Sequence, residues 1–187
     1  MKNTIVTFLA IMLVVSCGNR RHIPDVSKIK VNLKVMRFER DLFAMDTLHL
    51  AQSLDTLSAK YPGFIQDYLY NIMGFDPKPD SVLKYMLPFL RDSLYHIVYA
   101  DAEKVYPTFD VPLKEIKRGL QFVNYYFPKY NLPDKVITFI GPLDGVATGV
   151  TMNGVLAIGL QGYLGKDNPA YKTEYLMSTY PLYKSKR

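Results

Sequence analysis

Between residues 28 and 35 apolar and polar side chains alternate without interruption. Ile29, Val31, Leu33 and Val35 fall on one face; Lys28, Lys30, Asn32 and Lys34 fall on the other. A period of two marks a half-buried strand, and lysines along its outer face discourage pairing with another chain. The phase slips at Met36-Arg37-Phe38, which predicts that the strand ends or bulges there.

Helical spacing then takes over. Leu50, Leu54, Leu57 and Tyr61 form a stripe, with Asp46 placed to cap the helix and Pro62-Gly63 to stop it. A second helix, 64–73, turns Phe64, Tyr68, Leu69 and Ile72 inward and stops at Gly74. Asp76-Pro77-Lys78-Pro79 reads as a rigid turn, after which Asp80 or Ser81 caps a third helix that Pro88 kinks or ends. A fourth, near 89–106, turns Leu90, Leu94, Ile97 and Val98 inward. The fifth, capped by Asp110, carries Leu113, Ile116, Leu120, Val123 and Phe127 before Pro128. Such stripes predict core packing, not a cofactor box.

The character changes again at residue 135. KVITFIG (135–141) is dense in apolar, β-branched residues, and 147–160 places Asn153-Gly154 between two extended stretches. Asn-Gly accepts the positive φ angles of a tight hairpin turn. Residues 135–160 therefore predict three strands, the last two a hairpin. Strand, helices and then a small sheet make an α+β layout of one domain over 28–187, since alternating βαβ units are missing.

The opening segment stands outside that fold. An apolar run from Thr4 to Val15 follows Met1-Lys2-Asn3 and gives way to Asn19-Arg20-Arg21-His22. It is too short to cross a bilayer, which takes roughly 20 apolar residues, and has the build of a secretory signal peptide. Val14-Val15-Ser16-Cys17 resembles the lipobox of bacterial lipoproteins, in which the Cys thiol is acylated and the peptide is cut before it. Residues 1–16 are then a signal peptide, cleaved between Ser16 and Cys17, and residues 17–27 are a tether. Two or three acyl chains, palmitate among them, would hold the domain on a membrane. Cys17 is the single cysteine, so the exported domain has no disulfide. Gly18-Asn19 carries no acidic run, and the domain is expected to face the periplasm.

Charge adds little. Lys and Arg number 23 against 17 Asp and Glu, a net +6, which suits anionic headgroups near Arg20 and Arg21. Export and the lack of a nucleic-acid-binding motif argue against nucleic acid as a partner. The three histidines, His22, His49 and His96, show no i, i+4 pair and no HExxH, so no metal site is expected. No GxSxG stands in the chain. Gly141, Gly145, Gly149, Gly154 and Gly159 lie among strand residues without a phosphate-loop spacing. Asp134 and Asp144 flank the 135–141 strand and read as loop residues more than as a carboxylate pair. No catalytic residue and no cofactor is expected. Fifteen Tyr and ten Phe, with no Trp, predict a heavily aromatic core and a surface covered by another chain.

In order along the chain stand the lipobox, VMRFERDLF (35–43), YPGFIQDYL (61–69), YYFPKYNLPDKVITFIG (125–141) and IGLQGYLGKDNPAYK (158–172). As an ordered set they resemble the gliding motility lipoprotein B family of Bacteroidota, from signal peptide to last residue. The resemblance implies a membrane-anchored envelope lipoprotein that supports motility or secretion machinery through protein contacts, not an enzyme. The chain departs from the family in two ways. An acidic residue is expected near Gln161, and family members continue well past a YPLY-like segment, so the chain resembles an N-terminal portion. The helices 64–73 and 111–127 are accordingly expected to expose aromatic residues. Two other readings are a truncated relative of zinc-peptidase-like proteins lacking the HExxH helix, and a periplasmic ligand-binding lipoprotein using its tyrosines.

Overall fold

The computed structural model describes residues 23–76, 78–143, 149–152, 154–165 and 167–172. Signal peptide, Ser16, Cys17, His22, Asp144, Gly145 and Asn153 lie outside the described residues, as do residues 173–187.

Strand β1 spans Lys34–Arg37 and passes directly into helix α1, Phe38–Phe43. A capped 3-10 turn, Thr47–His49, leads into α2, Leu50–Lys60, and α3, Phe64–Asp67, continues as a π-helical turn, Tyr68–Ile72. Helices α4, Pro79–Arg91, α5, Ser93–Val105, and α6, Asp110–Tyr126, complete the helical part. Strands β2, Lys135–Phe139, β3, Gly149–Met152, and β4, Val155–Gly159, follow.

The α+β class and the 149–159 hairpin are as predicted: β3 pairs antiparallel with β4, Met152 opposite Val155, and Gly154 sits at φ 78° in the turn. The N-terminal strand joins the same sheet, giving four strands in the order β1-β2-β4-β3. β1 lies parallel to β2, Lys34 against Lys135, and β2 lies parallel to β4, Thr138 against Ile158. Central β2 is buried from Val136 to Phe139, because a strand with neighbours on both sides and layers on both faces meets no water.

Several predicted boundaries are corrected. The strand predicted over 28–35 pairs only as Lys34–Arg37. Its alternation is nevertheless real, with Ile29, Val31 and Leu33 half-buried and Lys28, Lys30 and Asn32 exposed. Residues 28–33 are covered on one side without a strand partner. The phase slip at 36–38 is the start of α1, which the spacing did not predict; Phe38 and Leu42, four apart, drive into the core.

Pro88 neither ends nor splits its helix. It lies inside α4 with its ring exposed, and the break falls at Asp92, whose carboxylate caps α5 by accepting from Leu94 N at 2.8 Å. α4 begins after Lys78, with Pro79 at a position where no N–H is needed, so neither Asp80 nor Ser81 caps it. Asp110 is the first residue of α6 and makes no capping bond. Ile97 points outward, while Val98 and Ala102 carry the inner face of α5.

The core is aromatic. Phe38 stands edge-on to Tyr61 and Phe64, with ring centroids 5.1 and 5.0 Å away, and leans on Tyr68 at 4.7 Å. Tyr68 in turn meets Phe139 of β2 at 6.0 Å, which couples α1, α3 and the sheet. Edge-to-face pairs of this kind add about 0.5–1.5 kcal/mol beyond burial. The helix predicted over 64–73 thus buries Phe64, Tyr68 and Leu69 and exposes only Tyr70 among its aromatics.

Candidate functional site

Three features carry polar or exposed chemistry. The first grows from the abrupt strand-to-helix switch at Arg37-Phe38. Placing Phe38 inward carries its neighbour Glu39 inward too, and Glu39 is fully buried. Its carboxylate accepts from Arg37 Nε and, at 2.7 Å, from Thr138 Oγ1 of β2. Arg37 also donates to Glu103 Oε1 at 2.8 Å and to the Tyr106 carbonyl at 3.0 Å. Arg40 grips Glu103 with two bonds, 2.9 and 2.8 Å, in the planar fork that suits a carboxylate. The Glu103 hydrogen bonds raise the Arg40 pKa still further. Two arginines and two glutamates thus neutralise one another and bind α1 to α5 and β2. Geometry of this kind is what offsets the cost of burying charge.

The second feature lies where β2 and β4 end. Gln161 is 2% exposed, and its Oε1 has no hydrogen-bond partner among the described residues. A Cβ on Gly159 would stand 2.7 Å from Gln161 Nε2, and one on Gly141 would stand 3.4 Å from it. Two glycines therefore leave room for one side-chain amide at the carboxyl ends of neighbouring parallel strands. Beside it, Tyr68 donates to the Ile140 carbonyl at 2.6 Å, and burial pushes the Tyr68 phenol well above its ordinary pKa. Gln161 occupies the place where an acidic residue was expected. Tyr171, also buried, donates to the Gln161 carbonyl at 2.6 Å and accepts from Leu164 N at 2.9 Å, so residues 160–171 close over the strand ends.

The third feature is helix α6. None of its residues is fully buried. Leu113 and Ile116 pack on the core, and Gln121 Nε2 donates to the Ile29 carbonyl at 2.7 Å. The helix rests on the extended segment before β1, and a groove of ≈ 840 Å³ runs between residues 23–27 and Leu113, Lys117 and Gln121. Tyr125, Tyr126, Phe127 and Tyr130 are 49–65% exposed at its far end. This is the exposed aromatic surface predicted for 111–127.

The remaining candidates separate. His49 is exposed and bonds Asp46 at 2.8 Å; His96 bonds the Leu90 carbonyl at 2.8 Å and stands edge-on to Phe43. Asp134 holds β1 and the hairpin through its backbone, accepting from Lys34 N and donating to the Gly154 carbonyl. Among the described residues no group of three His, Cys, Asp or Glu is placed to hold a metal, and no helix is long and apolar enough to cross a membrane. A recess of ≈ 610 Å³ lined by Tyr85, Tyr95 and Phe89 contains one carboxylate, Asp76, which is paired with Lys78 at 2.8 Å.

The geometry alone names no reaction, but the sequence matches a known family. The family model for the gliding motility protein GldB matches residues 19–187. The chain belongs to the GldB family. No curated protein and no solved structure matches it. Within this GldB-family fold, VMRFERDLF becomes more than a motif: it supplies Arg37, Glu39 and Arg40 of an ionic network in which Glu39 is buried and Arg40 partly exposed. Spacing could not reveal that network, because Glu103 and Thr138 lie 63 and 99 residues from their partners.

Proposed function

We propose that this GldB-family chain is a lipoprotein of the cell envelope, acylated on the Cys17 thiol and then cleaved behind Ser16. It supports motility or secretion machinery through protein contacts, without catalysis or a cofactor. The family match over 19–187 carries this reading, and the lipobox Val14-Val15-Ser16-Cys17 supplies its chemistry. The domain faces the periplasm, tethered through residues 17–27. Its exposed aromatic residues just beyond α6, Phe127 and Tyr130, suit a partner protein, because tyrosine and phenylalanine bring large contact area at small entropic cost.

The test is Cys17→Ser, expressed from the native start with radiolabelled palmitate. The wild-type chain takes up label and loses residues 1–16; the variant does neither. Label uptake or cleavage unchanged in the variant would sink the anchor. Crosslinking with mass spectrometry on native membranes then reports whether Lys129 and its neighbours reach another envelope protein.

A further inference from the structure

Helix α6 carries two faces. Leu113, Ile116, Leu120 and Val123 are half-buried on the inner one. Opposite them, at helical steps of three and four, stand Val111, Lys114, Arg118, Phe122 and Tyr125. Phe122 is half-buried and the other four are exposed, Val111 to 72%. This outer stripe mixes cations with apolar and aromatic groups and has two acids at its edges, Asp110 and Glu115, with Asp25 across the groove. Fourteen residues of helix make the stripe about 21 Å long.

The position of this helix relative to the chain's start says what it meets. Residues 23–27 line one wall of the groove along α6, with Lys114 and Arg118 on the other, and Val26 of that segment is buried. Five residues lie between Cys17 and Ile23, and the six steps from one to the other reach about 20 Å when fully extended. An acylated Cys17 therefore keeps α6 within a tether's length of the bilayer surface. Ile23, 71% exposed, stands on the same groove, with Lys117 beside Lys114 and Arg118.

We propose that the outer stripe of α6 is a membrane-apposed surface that lies against anionic lipid headgroups and acts as a second attachment beside the acyl chains. The inference rests on the lipid-anchor reading given above. Lys114 and Arg118 meet headgroup phosphates; Tyr125 and Tyr126 sit at the interface, where a ring with a polar tip is at home. Basic, amphipathic helices bind membranes in this way, and a second signal makes acyl anchoring persistent.

The chain has no tryptophan, so Tyr125→Trp gives a single reporter on an exposed position. The full acylated chain carrying it is mixed with vesicles of phosphatidylethanolamine and phosphatidylglycerol, or of phosphatidylcholine alone. Bromine-labelled lipids of the same headgroups quench the indole where it touches the bilayer. Quenching and a blue shift are expected with the anionic vesicles, and both should weaken at high salt. Lys114→Glu with Arg118→Glu should reduce the quenched fraction on the order of tenfold or more, given the attraction each cation contributes near an anionic surface.

Acylated protein that floats with the vesicles while its indole stays unquenched would overturn the proposal and leave the anchor intact. Protein that fails to float at all instead overturns the anchor. Indole emission that shifts with protein concentration in the absence of lipid would assign the stripe to a second copy of the chain and overturn the membrane assignment. Indole quenching unchanged by the charge reversals, in protein that melts like the parent, would overturn it as well.

Discussion

The hydroxyl of Thr138, in the middle of the central strand, donates at 2.7 Å to the fully buried carboxylate of Glu39, 99 residues earlier in the chain. This bond fixes helix α1 on the sheet and gives the Glu39 charge a second partner besides Arg37.

Removing either partner should be costly in different degrees. Thr138→Val deletes a hydrogen bond to a charged group and should lower stability by about 1.5–3 kcal/mol. Arg37→Met leaves Glu39 buried without its counter-charge and should cost roughly 3–5 kcal/mol. Urea unfolding of the two variants and of the double variant measures both losses. Strong coupling between the sites is expected, and additive losses would show that the network does not act as a unit.

Gly159 is required by the Gln161 amide. Gly159→Ala should destabilise by about 1–3 kcal/mol, because the new methyl overlaps a side chain that is itself enclosed. The additional change Gln161→Ala should recover much of that loss. A thermal melt of the three variants decides; a Gly159→Ala protein that melts with the parent contradicts the crowding at this point.

Pro88 interrupts the hydrogen bonding of α4 from an exposed position. Pro88→Ala restores an N–H facing the Lys84 carbonyl and removes a ring clash. It should stabilise the chain by about 1 kcal/mol or more, since an interior proline costs a helix roughly 3 kcal/mol. A raised urea midpoint with an unchanged slope is the expected result.

Asp101 joins α5 to the segment that closes over the strand ends. Its carboxylate accepts from Asn168 Nδ2 at 3.0 Å and from Lys104 at 3.0 Å. The Asn168 bond first, then Lys104, holds its pKa below the usual carboxylate range. A depressed folded-state pKa stabilises fully above the unfolded value of roughly 3.9, and the contribution fades as pH falls through the folded value. Asp101→Asn should therefore be less stable than the parent at pH 7, and the gap should narrow as pH falls below the unfolded value. A gap in unfolding midpoint that persists at the acidic end would contradict the assignment.

The sequence made the periodic elements legible and left the conflicts between local signals unresolved. The stripe Leu50-Leu57-Tyr61 and the Asn153-Gly154 hairpin follow local chemistry, and the structure has both. The alternation at 28–35 reports burial correctly, but pairing depends on where the parallel β2 begins, and it begins at Lys135, opposite Lys34. At Pro88 a local helix-breaking rule gave way to packing: Met86, Phe89 and Leu90 are buried on both sides of the ring and hold the helix together. Of the site features, the aromatic surface at Tyr125–Tyr130 was visible from composition. The Glu39 network and the Gln161 niche were not, since each depends on residues brought together only by the sheet.

The parallel pairing of β1 with β2 has a consequence for the order in which the molecule takes shape. A chain always emerges from the ribosome with its amino end first, and β1 appears a full hundred residues ahead of β2, the strand it pairs with among the described residues. At synthesis rates of roughly 5–20 residues per second that wait is on the order of 5 to 20 s. Through it, the β1 region must stay unpaired without recruiting a neighbour's strand. Lys28, Lys30 and Lys34, spaced along its outer side, act as a guard for the newborn chain before they have any part in the finished one.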